Sequence, residues 1–375
     1  MKKIRTWEIS IYKRILMLLV LCTVFLLPVT RCHAEETQYY TSGMYTYYVI
    51  NEPEKEISIC AISSTAKKIV IPSELDGYQV SRIGYPEGDH YEEAKKLGGD
   101  IAQCMEELVI PDTVKRVQAL SFYECKKLSK VTLPEDIILG YACFSGCDSW
   151  KNIVLPQNTF CEDAALPGNI ESLQISNSIF GEGVITGKVN RILLSPKQNT
   201  LFDMGGSWVS VKLKELYSSK QVTKLLFNGV DGENAVEKLY VNGRDTKVEA
   251  NESRGHAVLG KVSFGEIFTV ENAKAISFAK KHKITYHIKK ASKVKKAVCK
   301  KKAGKYLYTW KKVKTAVHTF KYNKKWKKNT KEVPTVYKVY GKKTKNGRYR
   351  LLAITKAKRY TTECKYIKVV PVQEW

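Results

Sequence analysis

One phrase, written two and a half times between Met105 and Pro156, restricts this chain more than any other feature. Met105-Glu-Glu-Leu-Val-Ile-Pro111, Leu128-Ser-Lys-Val-Thr-Leu-Pro134 and Trp150-Lys-Asn-Ile-Val-Leu-Pro156 align without gaps. Between them Ser121-Phe122-Tyr-Glu-Cys125 and Cys143-Phe144-Ser-Gly-Cys147 align as well. The prolines stand 23 and 22 residues apart, and Phe122 and Phe144 stand 22 apart. A fixed period in the twenties predicts a solenoid, in which each unit buries its face only against its neighbours.

Each position in the phrase has a physical reason. Leu108/Ile110, Val131/Leu133 and Ile153/Leu155 alternate with Val109, Thr132 and Val154, the period of a short strand. A proline then ends the strand because it has no N–H to donate to a ladder. The Phe is expected to point into the stack on the far side of the coil. The pattern L-x-x-V-x-L-P followed by A/S-F-x-x-C resembles the BspA-like leucine-rich repeats of bacterial surface proteins. Lys67-Lys-Ile-Val-Ile-Pro-Ser-Glu-Leu-Asp-Gly-Tyr-Gln-Val-Ser-Arg-Ile-Gly84 is similar to the first coil of that family. The resemblance implies a leucine-rich-repeat solenoid of short parallel strands with an irregular or short-helical far side. It also implies exposure outside the cell.

Around the repeats the chain reads in pieces. Thr37 to Ile62 is rich in Tyr and predicts two strands about the turn Asn51-Glu-Pro-Glu-Lys55, a hairpin that would cap the solenoid. The same tyrosines are also compatible with an aromatic binding surface. Tyr85 to Glu93 is a polar insert, with a short helix expected over 94–102. Beyond Pro156, Leu173-Gln-Ile175, Ile192-Leu-Leu194, Leu216-Tyr217 and Lys238-Leu-Tyr-Val241 recur at intervals of about 20 to 24 residues, as further coils would. Thr223 to Phe227 reads as an extra strand, and Phe180, Phe202 and Val222 as stand-ins for the repeat Phe. Ile267 to Tyr286 predicts strand, helix, strand, similar to the segment that closes these proteins.

The net charge of +26 is unevenly spread. Lys289 to Trp375 carries 29 Lys/Arg against 3 Asp/Glu, a net of +26; residues 35–288 carry 28 against 33, a net of −5. In this basic end, Lys305–Trp310, Thr335–Tyr340, Tyr349–Ala353 and Tyr366–Val370 alternate as half-buried strands do, and Lys345-Asn-Gly347 is a hairpin turn. Trp310 on an early strand, then V-Y-K-V-Y, K-N-G-R-Y and K-Y-I-K-V-V, resemble a fibronectin type III-like domain. Lys-laden versions of such domains are frequent in exported proteins of low-GC Gram-positive bacteria, so the resemblance implies export from a cell of that kind. Val317 to Pro334 departs from that pattern as an insertion. The expected division is 1–34 signal peptide, 35–64 capping hairpin, 65–288 solenoid with its cap, and 293–375 a small all-β sandwich.

The signal rests on Lys2, Lys3, Arg5, Lys13 and Arg14 before an apolar run from Ile15 to Val29, then Cys32-His-Ala34 as a cleavage site. The ten cysteines include no CxxC pair, and the repeat cysteines read as small buried hydrophobes rather than a disulfide scaffold. A bridge between Cys125 and Cys147 in adjacent coils stays open. His90, His256, His282, His287 and His318 form neither HExxH nor a zinc spacing, and there is no GxSxG elbow or Walker-type loop. The runs Gly181-Glu-Gly183 and Asp231-Gly-Glu-Asn234 read as turns. No catalytic, cofactor or metal residue is expected, and the chain is not expected to be an enzyme.

What remains is charge. A dense lysine field attracts polyanions and weakens with salt. Lys324, Lys325, Trp326, Lys327, Lys328, Lys342, Lys343 and Lys345 are the candidate contacts. The excess of Lys over Arg suits diffuse attraction rather than base readout, which argues against nucleic acid. The expected partners are host or bacterial surface proteins or glycans at the solenoid, and anionic cell-wall polymers at the basic end. That describes a secreted adhesion protein retained noncovalently at the wall. Two other classes stay open: a structural wall spacer, and a glycan-active enzyme betrayed by converging carboxylates.

Overall fold

Alternation dictates that every first strand of a coil sends one row of side chains inward and the next outward, and backbone ladders then set these rows in line. The computed structural model describes residues 37–86, 104–176, 178–180, 184–194, 201–204, 208–229, 234–252, 262–321 and 329–375. Tyr39–Trp375 is one compact unit; of the other unit, Met1–Gln38, only Thr37 and Gln38 are described. The signal peptide, the 94–102 helix and the Gly181 and Asp231 turns therefore lie outside the described residues in whole or part.

The solenoid has two rows of parallel strands. In the first row Ile69, Leu108 and Val131 stand opposite one another. The row resumes with Ile153, Leu173, Ile192, Leu216, Leu239, Ile267 and Tyr286, each in register with the next. The expected strands beyond Pro156 are thus coils in register. The second row runs Ile59, Ile83, Val117, Leu139, Cys161, Phe180, then separately Phe202, Leu225 and Val248.

The strand expected at Thr223–Phe227 is present as Lys224–Gly229, a regular member of this second row. The row also corrects an expectation. Phe180 and Phe202 sit on that row rather than in the column of the repeat Phe. Val222 is a buried corner residue just before Lys224–Gly229. The true Phe column lies on the third side, where the chain turns. Phe122 and Phe144 stack there with ring centroids 5.2 Å apart and planes 8° apart, and Trp150 meets Phe144 edge-on at 5.1 Å.

The turn before Phe122 and Phe144 recurs in the next coil, where Leu166 stands in the place of the Phe. Leu120, Ala142 and Ala164 all adopt positive φ, at 58°, 49° and 53°. That left-handed conformation is costly for residues with a Cβ, so the packing of the coils overrides local preference there. Gly84 is different. Its φ is 114°, and a Cβ on it would lie 2.3 Å from Ser121 Oγ and 2.5 Å from Gln118 Cβ, so only glycine fits the approach of the first coil to the second.

Both ends of the stack are closed. At the start Tyr39–Ser42, Tyr45–Asn51 and Glu56–Ile62 form an antiparallel meander, three strands where two were expected. Its last strand pairs parallel with Tyr78–Ile83. At the far end the helix Ala275–Lys281 takes the place of a second-row strand and buries Ala275, Phe278 and Ala279. Thr285–Ala291 follows as the last parallel strand of the first row.

The basic end, where a sandwich was expected, holds two small sheets and a hairpin. Two three-stranded antiparallel sheets are present: Ala297–Lys302, Lys305–Trp310 and Arg359–Thr362 in one, Arg350–Thr355, Tyr337–Lys342 and Tyr366–Pro371 in the other. Tyr308 and Trp310 of one sheet cluster with Tyr337 and Val339 of the other, Trp310 edge-on to Tyr337 at 5.5 Å. The expected insertion from Val317 to Pro334 contributes two strands among its described residues. Thr315–Phe320 and Asn329–Val333 form a hairpin whose first strand pairs antiparallel with Thr285–Ala291, extending the solenoid sheet itself.

Candidate functional site

The alternation that buries Leu108 or Leu216 turns their neighbours outward, and the registers align these into two columns on the outer face of the first row. The first column is charged and internally paired. Glu107 takes Lys68 at 3.2 Å and Lys130 at 2.9 Å, and Glu215 takes Arg191 at 3.2 Å and Lys238 at 3.8 Å. The two lysine ammoniums hold the Glu107 carboxyl below its usual range. Such exposed pairs contribute little stability but fix the sign pattern that a partner meets.

The second column changes character along the solenoid. Its first half is β-branched and open: Val70, Val109, Thr132 and Val154, with Val70 and Val154 more than half exposed. Its second half is aromatic. Tyr217, Tyr240, Phe268 and His287 stack in register at centroid distances of 4.1, 4.6 and 4.3 Å. The faces of these rings cover one another, so only edges remain outward. The column is a spine, not an open platform for a flat ligand. Burial holds the Tyr240 hydroxyl well above its ordinary range and keeps His287 low, against the opposing pull of Glu266 at 3.4 Å.

The end of the basic region closes over this spine. Trp375 N–H donates to Asn242 Oδ1 at 2.9 Å, Asn242 Nδ2 donates to Trp375 O at 3.3 Å, and the indole Nε1 donates to Thr269 O at 2.9 Å. The indole stands edge-on to Phe268 at 4.9 Å, with Lys289 Nζ 5.5 Å from its centre. Glu374 pairs with Lys338 at 2.8 Å and with Lys220. Burial disfavours its charge, yet the two ammoniums hold its carboxyl below the usual range. No sequence pattern pointed to this clasp, because a lone terminal Trp carries no period; aromatics recurring at Tyr217, Tyr240 and Phe268 were the available signal.

The clasp is expected to open in acid. A carboxyl whose folded pKa is depressed contributes stability above its unfolded value of about 4.3, and that contribution is lost as pH falls through the lower folded value. Tryptophan emission attributable to position 375, taken as the difference from Trp375→Phe, should shift red below about pH 4. Glu374→Gln should remove that transition. An unchanged transition in the variant would assign it to another group.

Of the lysines expected to meet polyanions, Lys324, Lys325, Lys327 and Lys328, with Trp326, lie outside the described residues. Lys342 ends the strand Tyr337–Lys342, and Lys343 and Lys345 follow it in the loop. There Lys342 Nζ donates to Lys345 O and lies 4.8 Å from the Tyr349 ring centre, and Lys343 is 4.0 Å from Glu363. Lys342 is thus engaged by its own loop, while Lys345 is exposed. Gly347 N–H donates to Thr344 O at 3.2 Å, closing the expected turn.

Among the described residues no three His, Cys, Asp or Glu side chains converge as a metal site, and no disulfide joins the cysteines. Cys125, Cys143, Cys147 and Cys161 are buried, with burial raising the thiols of Cys143 and Cys161 and the Cys147 thiol donating to Phe122 O at 3.1 Å. Such thiols are inert packing groups. No described helix is long and apolar enough to cross a membrane.

Against known proteins, residues 102–183 match the BspA type leucine rich repeat region, in six copies. None of the curated proteins matches the chain. Among solved structures, a leucine-rich repeat protein from Bacteroides ovatus is 15% identical, covering 61% of this chain and 70% of that one with a TM-score of 0.34. A T. pallidum leucine rich repeat protein is 17% identical over 61% and 86%, TM-score 0.34. A leucine rich cell surface protein from Faecalibacterium prausnitzii is 13% identical over 59% and 96%, TM-score 0.28. The repeat region is a parallel-strand β-solenoid with little helix, and residues 102–183 within it match the BspA type leucine rich repeat.

Proposed function

We propose that this is an exported, non-enzymatic binding protein whose solenoid meets a protein or glycan partner through the open half of its outer face, and whose basic end holds it on anionic wall polymers. The open half is the stripe Val70, Val109, Thr132 and Val154 beside the paired charges of Lys68, Glu107 and Lys130. The basic end we read as a fibronectin type III-like sandwich interrupted by the hairpin that joins the solenoid. The observation that carries the anchoring half is the charge balance of 29 Lys/Arg against 3 Asp/Glu over residues 289–375. Two of those three acids, Glu363 and Glu374, are within 4.0 Å of lysines. Too few acids remain to neutralise the field internally.

The test is sedimentation with Gram-positive cell walls, teichoic acid intact or stripped, across a salt series. Truncation before residue 289 is the wrong comparison, since it would cut the strand Thr285–Ala291 and strip its partner Thr315–Phe320. The full chain should instead be compared with a variant carrying Gln at Lys324, Lys325, Lys327, Lys328, Lys343 and Lys345. The native chain is expected to sediment, and salt, stripping or the six substitutions to release it. Equal sedimentation of both chains would move wall binding to the repeats. Sugar release from the walls would favour the enzyme class instead.

A further inference from the structure

A second group of lysines, none of them among those the sequence singles out, lines one cleft. Where the Thr315–Phe320/Asn329–Val333 hairpin gives way to Tyr337–Lys342, a cleft of about 540 Å³ opens. Lys312 reaches it from the segment after Trp310, and Lys356 and Lys358 from the bend between Arg350–Thr355 and Arg359–Thr362. Pro334 and Tyr337 form its wall, and Glu332 joins the lining.

The cleft is held in shape without a ligand. Trp310 N–H donates to Lys358 O at 3.0 Å, which pins the bend to the neighbouring sheet. The Tyr337 hydroxyl accepts from Val313 N–H at 3.2 Å, and Thr335 Oγ1 donates to Val313 O at 2.6 Å. The floor's polar groups are therefore satisfied by one another. The ammoniums are not: among the described residues Lys312, Lys356 and Lys358 make no ion pair, with Glu332 or any other acid. Three like charges around one concavity repel until an anion enters.

The chemistry narrows the occupant. Ammonium groups act as point charges on a tetrahedral oxyanion and lack the planar fork that favours carboxylate. The volume lies within the range of small-molecule sites and exceeds a bare phosphate, leaving room for a short hydroxylated body. Glu332 supplies an acceptor for a hydroxyl, and Pro334 an apolar wall. We propose that this cleft binds the phosphate of a polyol-phosphate unit between Lys312, Lys356 and Lys358, with its hydroxyls toward Glu332. The proposal rests on the reading of the basic end as anion-binding, and turns part of that diffuse attraction into a discrete subsite.

Titration calorimetry on the full chain tests it, with glycerol 1-phosphate as probe and glycerol and inorganic phosphate as comparators. The comparison variant is K312Q/K356Q/K358Q, set against the charge-matched K126Q/K127Q/K151Q on the solenoid. The expected result is saturable binding of glycerol 1-phosphate, weakened about 10-fold or more by the first triple and unchanged by the second, with no uptake of glycerol. Equal loss in both triples overturns the proposal, since it leaves net charge alone. Equal affinity for inorganic phosphate overturns the polyol part. Wall sedimentation separates this from the anchoring reading. Walls retained without saturable glycerol phosphate binding sink the cleft alone, and saturable binding without wall retention sinks the anchor alone.

Discussion

Phe144→Ala is expected to destabilise the repeat region by about 3–5 kcal/mol, the range for removing a fully buried aromatic ring. Phe144 has no exposed surface, stacks on Phe122 at 5.2 Å and meets Trp150 at 5.1 Å. Alanine would leave a cavity between two coils whose backbones are held apart by their ladders and cannot collapse into it. Because a solenoid's stability is a sum over neighbouring interfaces, the loss should be local before it is global. Amide hydrogen exchange is therefore the measurement of choice. Protection should fall first around Leu128, Trp150 and Ile153, with the sheet containing Tyr337 left intact. A change below about 1 kcal/mol would mean that the Phe column does not couple the coils.

The second large effect is expected at Gly140, where adjacent coils approach closely through backbone. A Cβ there would lie 2.7 Å from Val117 O and 2.9 Å from Ala119 N. Gly140 N–H also donates to Val117 O at 2.8 Å, so the coils cannot part without losing a ladder bond. Gly140→Ala should push the two coils apart and cost several kcal/mol, with most of the variant insoluble or melting early. Gly304→Ala is the internal control. Gly304 has φ of 76° but nothing within 4 Å of an added Cβ, so it should lose only about 1 kcal/mol. If Gly140→Ala costs no more than Gly304→Ala, the approach of the two coils does not govern this site.

What the sequence disclosed and withheld follows from length of pattern. The first-row strands were legible because Leu108, Val131 and Ile153 sit in a seven-residue phrase that repeats and ends in proline. The coils at Leu173, Ile192, Leu216 and Leu239 were legible from spacing after the phrase had decayed. The second row was not, because Arg116–Val117, Ile138–Leu139 and Phe160–Cys161 are two residues each and too short to show alternation. For the same reason Phe180 and Phe202 were placed in the wrong column: a Phe at the right interval says nothing of which side of the coil it occupies. The hairpin of Thr315–Phe320 was obscured by Lys324–Lys328, whose charge dominates the local reading. As for the candidate sites, the charge imbalance was plain in the sequence. The two outward columns, the Trp375 clasp and the Lys312 cleft arise only when residues far apart are brought together.

One feature of the architecture reaches beyond a single molecule. A stack of parallel strands invites another strand onto its last rung, and repeat proteins that leave that rung bare are prone to grow end to end. Here the last parallel strand, Thr285–Ala291, is met by Thr315–Phe320 running the opposite way, from Tyr286 opposite Phe320 to Ala291 opposite Thr315. The hydrogen-bond spacing of an antiparallel pair does not match that of the next parallel rung, so the repeat cannot be continued by another copy in register. The border is moved out to Asn329–Val333, where Lys331 and Glu332 are exposed. The hairpin therefore works as a chain terminator, and protein purified at high concentration should remain dispersed instead of forming filaments along the solenoid axis.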